Sequence, residues 1–291
     1  MKQLKFPEVF DADFYISASL RAGKLAKDTA YSHYRLQGKG KGFAGSSLAD
    51  RNAFLVFLLN YGFQSILEIG PGVNPSLKGK NISYFDVRQG DEFYEYARKK
   101  GISDPSALPT ITYYSPDGSL KGIHKQFDLI FSSHCIEHSF DIINHINEVY
   151  DLLSQDGVYC LVVPDRRFTF DYFKKLTTVT DVLYRHSLNI PFHSLKIYLD
   201  VVYETHNDPI RHWRGDHGSY KVTKEVLQRQ LAAFISQSGR DPGLHAWTFT
   251  DDSFRDLFST LYALGIVKLC PHRVFNVVTN ANSFCAIMKK N

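Results

Sequence analysis

Five short apolar runs, rich in β-branched and aromatic residues, alternate with helix-patterned segments over residues 46–164, and this alternation limits the chain to few architectures. The runs are SILEI (65–69), ISYFDV (82–87), ITYYS (111–115), FDLIFSS (127–133) and GVYCLVV (157–163). Such runs are buried on both faces, which suits a parallel sheet with helices above and below. Between them lie DEFYEYARKKG (91–101) and DIINHINEVYDLLSQDG (141–157), the latter placing Ile142, Ile143, Ile146, Val149 and Leu153 on one helical face. Ahead of them, Ser46 or Ser47 is expected to cap a helix that stops at Gly62.

The strand rhythm stops from Asp165 to about Leu244, where helical patterns such as VTKEVLQRQLAAFISQSG surround a polar stretch, ETHNDPIRHWRGDHGSY. It resumes with a helix capped by Thr250, whose stripe is Phe254, Leu257, Phe258 and Leu261, and with two strands joined by TNAN. The expected fold class is α/β: a doubly wound, mostly parallel sheet of seven strands with an antiparallel carboxy-terminal edge hairpin and a helical insertion after strand five. Residues 1–45 read as a helical accessory segment, 46–164 as the ligand-binding half of the main domain, 165–244 as an insertion or lid, and 245–291 as the returning helix and hairpin.

A net charge of +4, with basic residues scattered apart from RLQGKGKGF (35–43), argues against a nucleic-acid partner. Cys135, Cys160, Cys270 and Cys285 are too far apart in sequence for a zinc motif or a disulfide framework, so a reducing compartment is expected. No run reaches membrane-span length and the start lacks a signal-like apolar core, giving the expectation of a cytoplasmic protein.

The first run leaves the sheet through GPGVNPSL, a loop nearly free of side chains, which implies that a ligand lies on the backbone there. A dinucleotide would require Gly-x-Gly-x-x-Gly leading into a helix, but Pro75 stands at the third position, and Pro71, Pro75 and Gly79 leave little room for a regular helix before Ile82. A methionine-type tail with a cationic sulfonium needs bare backbone and nearby acids instead. Glu68, Gly70, Pro71 and Gly72 supply these at the first strand end. Asp86 offers two acceptor oxygens for ribose hydroxyls at the second. Asp117, Gly118 and Ser119 stand after the third, either to read an adenine edge or to form only an Asx turn.

LEIGPG, the acid after strand two, Asp-Gly-x-Leu after strand three, and FDLIFSSHCIEH with DGVYCLVVPDRRFTFD resemble the class I S-adenosylmethionine-dependent methyltransferases. More narrowly they are similar to bacterial methyltransferases encoded with surface-polysaccharide enzymes, and the segment 1–45 resembles a short module found beside glycosyltransferases. Two departures are Asn74 in place of the usual third glycine and a shortened first helix. The resemblance implies S-adenosylmethionine as cofactor and a sugar, nucleotide-sugar or oligosaccharide acceptor in O-antigen-like synthesis, with a glycosyltransferase as possible partner. A catalytically inactive binding module and a lipid or quinone methyltransferase remain open as alternatives.

Position then nominates the remaining residues. Ser133 and His134 follow strand four and face the cofactor. His134, Glu137 and His245 are the candidate catalytic groups, a histidine with a carboxylate partner acting as general base, while His138 reads as structural. Asp165 and Arg166, after strand five, either orient a hydroxylated acceptor or form a helix-entry ion pair. Tyr172, His212, Trp213 and His217 are candidate acceptor contacts, with Trp213 as a sugar-stacking platform. No metal ligand set is assigned, although three histidines and two aspartates fall between His206 and His217.

Overall fold

The computed structural model describes residues 5–19, 25–102, 104–190, 192–220, 222–239 and 243–291. Parts of the expected amino-terminal segment (1–4 and 20–24) and of the expected insertion (191, 221 and 240–242) lie outside the described residues.

The strands are β1 (Ile66–Ile69), β2 (Ile82–Asp86), β3 (Tyr113–Tyr114), β4 (Phe127–Ser133), β5 (Leu153–Pro164), β6 (Cys270–Val274) and β7 (Ser283–Lys289). They form one sheet in the order β3-β2-β1-β4-β5-β7-β6. Strands β1 to β5 pair in parallel, and β7 runs antiparallel between β5 and β6. This is the expected fold class, with the antiparallel hairpin at the edge. The order reverses direction between β1 and β4, so their carboxyl ends flank the crevice where ligands of such sheets bind.

The helices are α1 (Ala12–Ser19), α2 (Lys27–His33), α3 (Arg51–Asn60), α4 (Gly90–Lys99), α5 (Ile142–Leu152), α6 (Val179–Leu188), α7 (Leu195–Asp200), α8 (Pro209–Trp213), α9 (Lys224–Gln237) and α10 (Asp251–Ala263). Strand side chains alternate between two apolar cores. Leu67, Ile69, Ile130, Leu161, Phe284 and Met288 join the inner faces of α5 and α10, whereas Ile66, Leu129, Phe131, Val162 and Ile287 join Phe54 and Leu58 of α3. Both faces are therefore covered, which explains why these strands read as unbroken apolar runs.

Three local expectations shift. The cap of α3 is Asp50, whose carboxylate accepts the Ala53 N–H at 2.9 Å, and Ser47 instead begins a single 3₁₀ turn before it. The third run contributes a strand of two residues, Tyr113–Tyr114. Leu153 leaves the α5 pattern to begin β5, where a register break opposite Phe127 and Leu129 absorbs Ser154 to Gly157. The Thr250 cap is as expected, closed by a reciprocal bond with Ser253.

The amino-terminal segment is tied to the β6–β7 edge. Asn276 Oδ1 accepts from the Tyr34 hydroxyl at 2.9 Å and from the Gly45 N–H at 3.2 Å. Lys39 Nζ lies 2.8 Å from the buried Asp251 carboxylate at the start of α10. Helices α6 to α9 follow β5, and none of the described helices is long and apolar enough to cross a membrane.

Candidate active site

The loop after β1 is shaped by its own acid. Glu68 is buried, and its two oxygens accept the N–H groups of Ser76 (2.8 Å) and Leu77 (3.0 Å), folding residues 70–77 back onto the strand end. Burial pushes the Glu68 carboxyl up to about 7, against those two amides, which favour the charged form. Glu68 thus acts on any ligand through the loop. Gly70 and Gly72 both have positive φ, 68° and 54°. A Cβ on Gly72 would meet nothing within 4 Å, so this stretch of backbone borders open space.

Asp86 ends β2 and is 3% exposed. Its Oδ1 accepts the Arg88 N–H at 3.0 Å, and burial raises its pKa while bonds to the Arg88, Gly72 and Val87 amides and the Arg88 charge oppose that rise. Asp86 therefore stands where the second strand end meets the glycine loop, with the Gly72 amide close enough to favour its charge. Beyond it, a recess of about 410 Å³ is lined by Phe85, Thr112, Tyr113, Ser115, Asp117 and Ser119, within the ~300–1,000 Å³ range of small-molecule sites. Asp117 makes the Asx turn, accepting the Ser119 N–H at 3.0 Å around Gly118 at φ 75°. The Ser115 hydroxyl, first, and that amide hold the Asp117 carboxyl below its ordinary value.

The opposite wall is the exit from β4. His134 takes a left-handed conformation, φ 50°, unusual outside glycine and asparagine, and its N–H is held by Val162 O at 2.9 Å. Arg51 of α3 spans the crevice, with Nη2 at 3.4 Å from both Ser76 Oγ and Ser133 Oγ. Burial, then the charges of His245 and Arg51, lower the His134 pKa to about 4, so its imidazole is neutral at pH 7. Its side chain remains 36% exposed, the most accessible of the titratable groups on this wall.

Glu137 is wholly buried, and neither carboxylate oxygen has a hydrogen-bond partner. Around its Oε1 stand His138 Nε2 at 3.7 Å, His245 Nε2 at 3.9 Å and His134 Nδ1 at 3.9 Å. Burial raises the Glu137 carboxyl to about 7 against the His245 charge. His245 arrives from 108 residues further along because the Ala246 and Trp247 N–H groups both donate to Glu137 O, at 2.8 and 3.2 Å. His245 Nδ1 lies 2.5 Å from Asp171 Oδ2, and Lys174 Nζ is 2.8 Å from Asp171 Oδ1. Burial opposes charge on His245, but the Asp171 bond and charge outweigh it and hold the imidazole above its ordinary value.

The expected catalytic residues His134, Glu137 and His245 are thus brought together. The expected acceptor residues divide into two groups. Asp165 is buried and pairs with Arg167 rather than Arg166: it accepts from Arg167 N, Nε and Nη2, and shares that arginine with Asp251. Arg166 donates to Lys174 O. The Trp213 indole stacks on Phe168 at 4.0 Å and donates to Ala281 O at 2.8 Å, fixing the insertion to the hairpin. Tyr172 instead stacks on His217 at 3.7 Å, beside His212, whose Nδ1 is 3.0 Å from His217 Nδ1. The histidines between His206 and His217 bond to carbonyls and to one another, and among the described residues the converging donor set is Glu137, His138 and His245.

Sequence reasoning passed over Arg51, Asp171 and Lys174 and read His138 as structural. The only signal for Asp171 and Lys174 was their spacing of three in FDYFKK.

No family model and no curated protein matches the chain. Among solved structures it is similar to the CcbJ methyltransferase from Streptomyces caelestis, 9% identical over 84% of this chain and 98% of that one, TM-score 0.42. It is similar to an S-adenosylmethionine-dependent methyltransferase from Clostridium acetobutylicum ATCC 824, 16% identical with TM-score 0.31 over 50% of this chain, and spans 60% of that protein's length. A putative Zn-dependent alcohol dehydrogenase from Rhodobacter sphaeroides matches at 13% identity and TM-score 0.41, over 84% of this chain and 90% of that one. Likeness at this level assigns neither cofactor nor substrate.

Proposed function

We propose that the chain is an S-adenosylmethionine-dependent methyltransferase that modifies a sugar hydroxyl in nucleotide-sugar or surface-polysaccharide synthesis. One observation carries this reading: the side-chain-poor Gly70–Gly72 loop, pinned by Glu68 and bordered by Asp86, closes onto the exit from β4 at Cys135, beside His134, at the switch point of the sheet. The residues present fit the cofactor. Gly72 leaves its backbone open, Asp86 offers carboxylate oxygens, and the recess lined by Phe85 and Ser115 lies beside Asp86.

When bound, S-adenosylmethionine supplies an electrophilic methyl group on a sulfonium sulfur. Gly70, Pro71 and Gly72 would hold its methionine end, Asp86 its ribose, and Asp117 to Ser119 its adenine. Ser133 and His134 close the wall beside the sulfur. His134, neutral and accessible, would take the proton of the acceptor hydroxyl, although its lowered pKa makes it a weak base that works best where that hydroxyl is itself acidified. Tyr172, His212 and His217 wall the acceptor side, while Asp165, Arg166 and Trp213 keep that wall in place.

The test incubates the full chain with isotopically labelled S-adenosylmethionine and a panel of nucleotide sugars and oligosaccharides, read by mass spectrometry, alongside calorimetric titration with the cofactor. Labelled methyl on a sugar is expected. Absence of cofactor binding at high ligand concentration overturns the reading, and binding without transfer to any hydroxylated acceptor favours a binding module.

A further inference from the structure

We propose that Glu137, His138 and His245 form a site for one divalent transition-metal ion, zinc by donor type, beside the cofactor loops. The two histidine Nε2 atoms stand 3.7 and 3.9 Å from the same Glu137 oxygen, and all three donors lie within 4.8 Å of one another. Tetrahedral ligands at ~2.0–2.1 Å from zinc are roughly 3.4 Å apart. The two glutamate–histidine separations are too long for hydrogen bonds and would contract by a few tenths of an ångström around an ion, while the histidine pair, within 4.8 Å, would close in by rotation of the rings.

The surroundings orient the donors as a metal site requires. A metal-bound histidine presents one ring nitrogen to the ion and gives the other N–H to a carbonyl or carboxylate, which fixes its tautomer. His138 Nδ1 is 3.0 Å from Leu244 O, and His245 Nδ1 is 2.5 Å from Asp171 Oδ2, so both Nε2 lone pairs turn toward Glu137. Lys174 in turn anchors Asp171 at 2.8 Å. Glu137 is 0% exposed with both oxygens unpartnered. A buried carboxylate without hydrogen bonds is strongly disfavoured unless a cation or a proton meets it. Two histidines and one glutamate are a donor set typical of catalytic zinc, which keeps a fourth position for an oxygen ligand.

This inference rests on the methyl-transfer reading only for its purpose, polarising the acceptor oxygen so that His134 removes its proton more readily. The site itself is testable without turnover. Full-length protein is analysed for metal as purified, then stripped with chelator and titrated with Zn²⁺ by calorimetry and with Co²⁺ by visible absorption. One ion per chain and intense tetrahedral Co²⁺ bands are expected. Glu137→Gln should weaken Zn²⁺ binding at least a hundredfold, and Asp171→Asn tenfold to a hundredfold, as outer partners do (~10–100-fold). His272→Asn, distant from the cluster, should bind as the wild type does, and circular dichroism verifies folding of each variant. Wild-type protein that takes up no Zn²⁺, or a folded Glu137→Gln variant with unchanged affinity, overturns the proposal. Zinc bound without S-adenosylmethionine binding supports the site while sinking the cofactor assignment, and the reverse pattern sinks the site alone.

Discussion

Gly70 and Cys135 approach so closely that a Cβ on Gly70 would stand 2.9 Å from the Cys135 sulfur, closing the loop after β1 onto the exit from β4. Gly70 also sits at φ 68°, a conformation costing other residues ~1–2 kcal/mol. Gly70→Ala therefore meets both penalties, whereas Gly72→Ala meets only the backbone one. Urea denaturation should show Gly70→Ala as the more destabilised, by at least about 1 kcal/mol beyond Gly72→Ala. Its deficit should shrink in a Cys135→Ala background, because removing the sulfur relieves the closest contact. Equal midpoints for the two alanine variants would show that the loops do not press on one another.

Asp86→Asn keeps the shape of the β2 end and removes the charge. A hydrogen bond to a charged group is worth ~1.5–3 kcal/mol, so S-adenosylmethionine affinity should fall roughly tenfold to a hundredfold. Thermal stability should fall little, since the carboxylate is itself disfavoured by burial. Calorimetry distinguishes the outcomes, and undiminished affinity removes Asp86 from the ribose.

The sheet was legible in the sequence because burial on both faces leaves few polar residues within each strand. The third strand was overstated, since Tyr113–Tyr114 lies at the edge and only two residues pair. The two site loops were legible from glycine and proline, which report backbone conformation directly. The Glu137 cluster was legible in part: position nominated His134, Glu137 and His245, but nothing local in LHAWTF foretells that Ala246 and Trp247 will bond to Glu137 O and deliver His245 to Asp171, or that His138 joins them. Long-range backbone bonds of this kind leave no periodicity. The packing of Trp213 was missed for a related reason, since an exposed and a packed indole read alike until Phe168 is found at 4.0 Å.

Asp251 joins three parts of the molecule. Its Oδ1 accepts from Arg167 after β5 at 2.7 Å, and its Oδ2 lies 2.8 Å from Lys39 of the amino-terminal segment. It is 1% exposed, so Asp251→Ala removes one carboxylate from each of two cations, while Asp165 still holds Arg167 and Asp252 still holds Lys39 at 2.6 Å. Leaving a buried charge uncompensated costs ~3–5 kcal/mol, and because each cation keeps a second carboxylate the loss here should be smaller, about 1–2 kcal/mol. The loss should appear in denaturant midpoints and as faster tryptic cleavage at Lys39 and Lys41. Wild-type cleavage rates would mean that Asn276, Thr279 and the Lys39–Asp252 pair suffice to dock the segment.

His145 sets a pH dependence outside the site. It lies buried on α5 with Nε2 3.0 Å from the Tyr159 hydroxyl, and burial lowers its pKa to about 4 from 6.5. The native protein keeps it neutral while the unfolded chain takes up a proton below about 6.5, so the unfolded state binds more protons between the two values. Its contribution is therefore fully present above about 6.5 and is lost as the pH falls through that window toward 4. One such histidine accounts for about 3 kcal/mol of acid destabilisation, at a slope of up to ~1.4 kcal/mol per pH unit. His193, lowered to about 3 by burial and then by Arg185, adds a similar share. His145→Gln retains a polar partner for Tyr159 and cannot titrate there. Its unfolding free energy, measured in urea from about pH 7 down to about pH 4.5, should decline less steeply than that of the wild type by about one proton's worth. Parallel curves would place the acid sensitivity elsewhere.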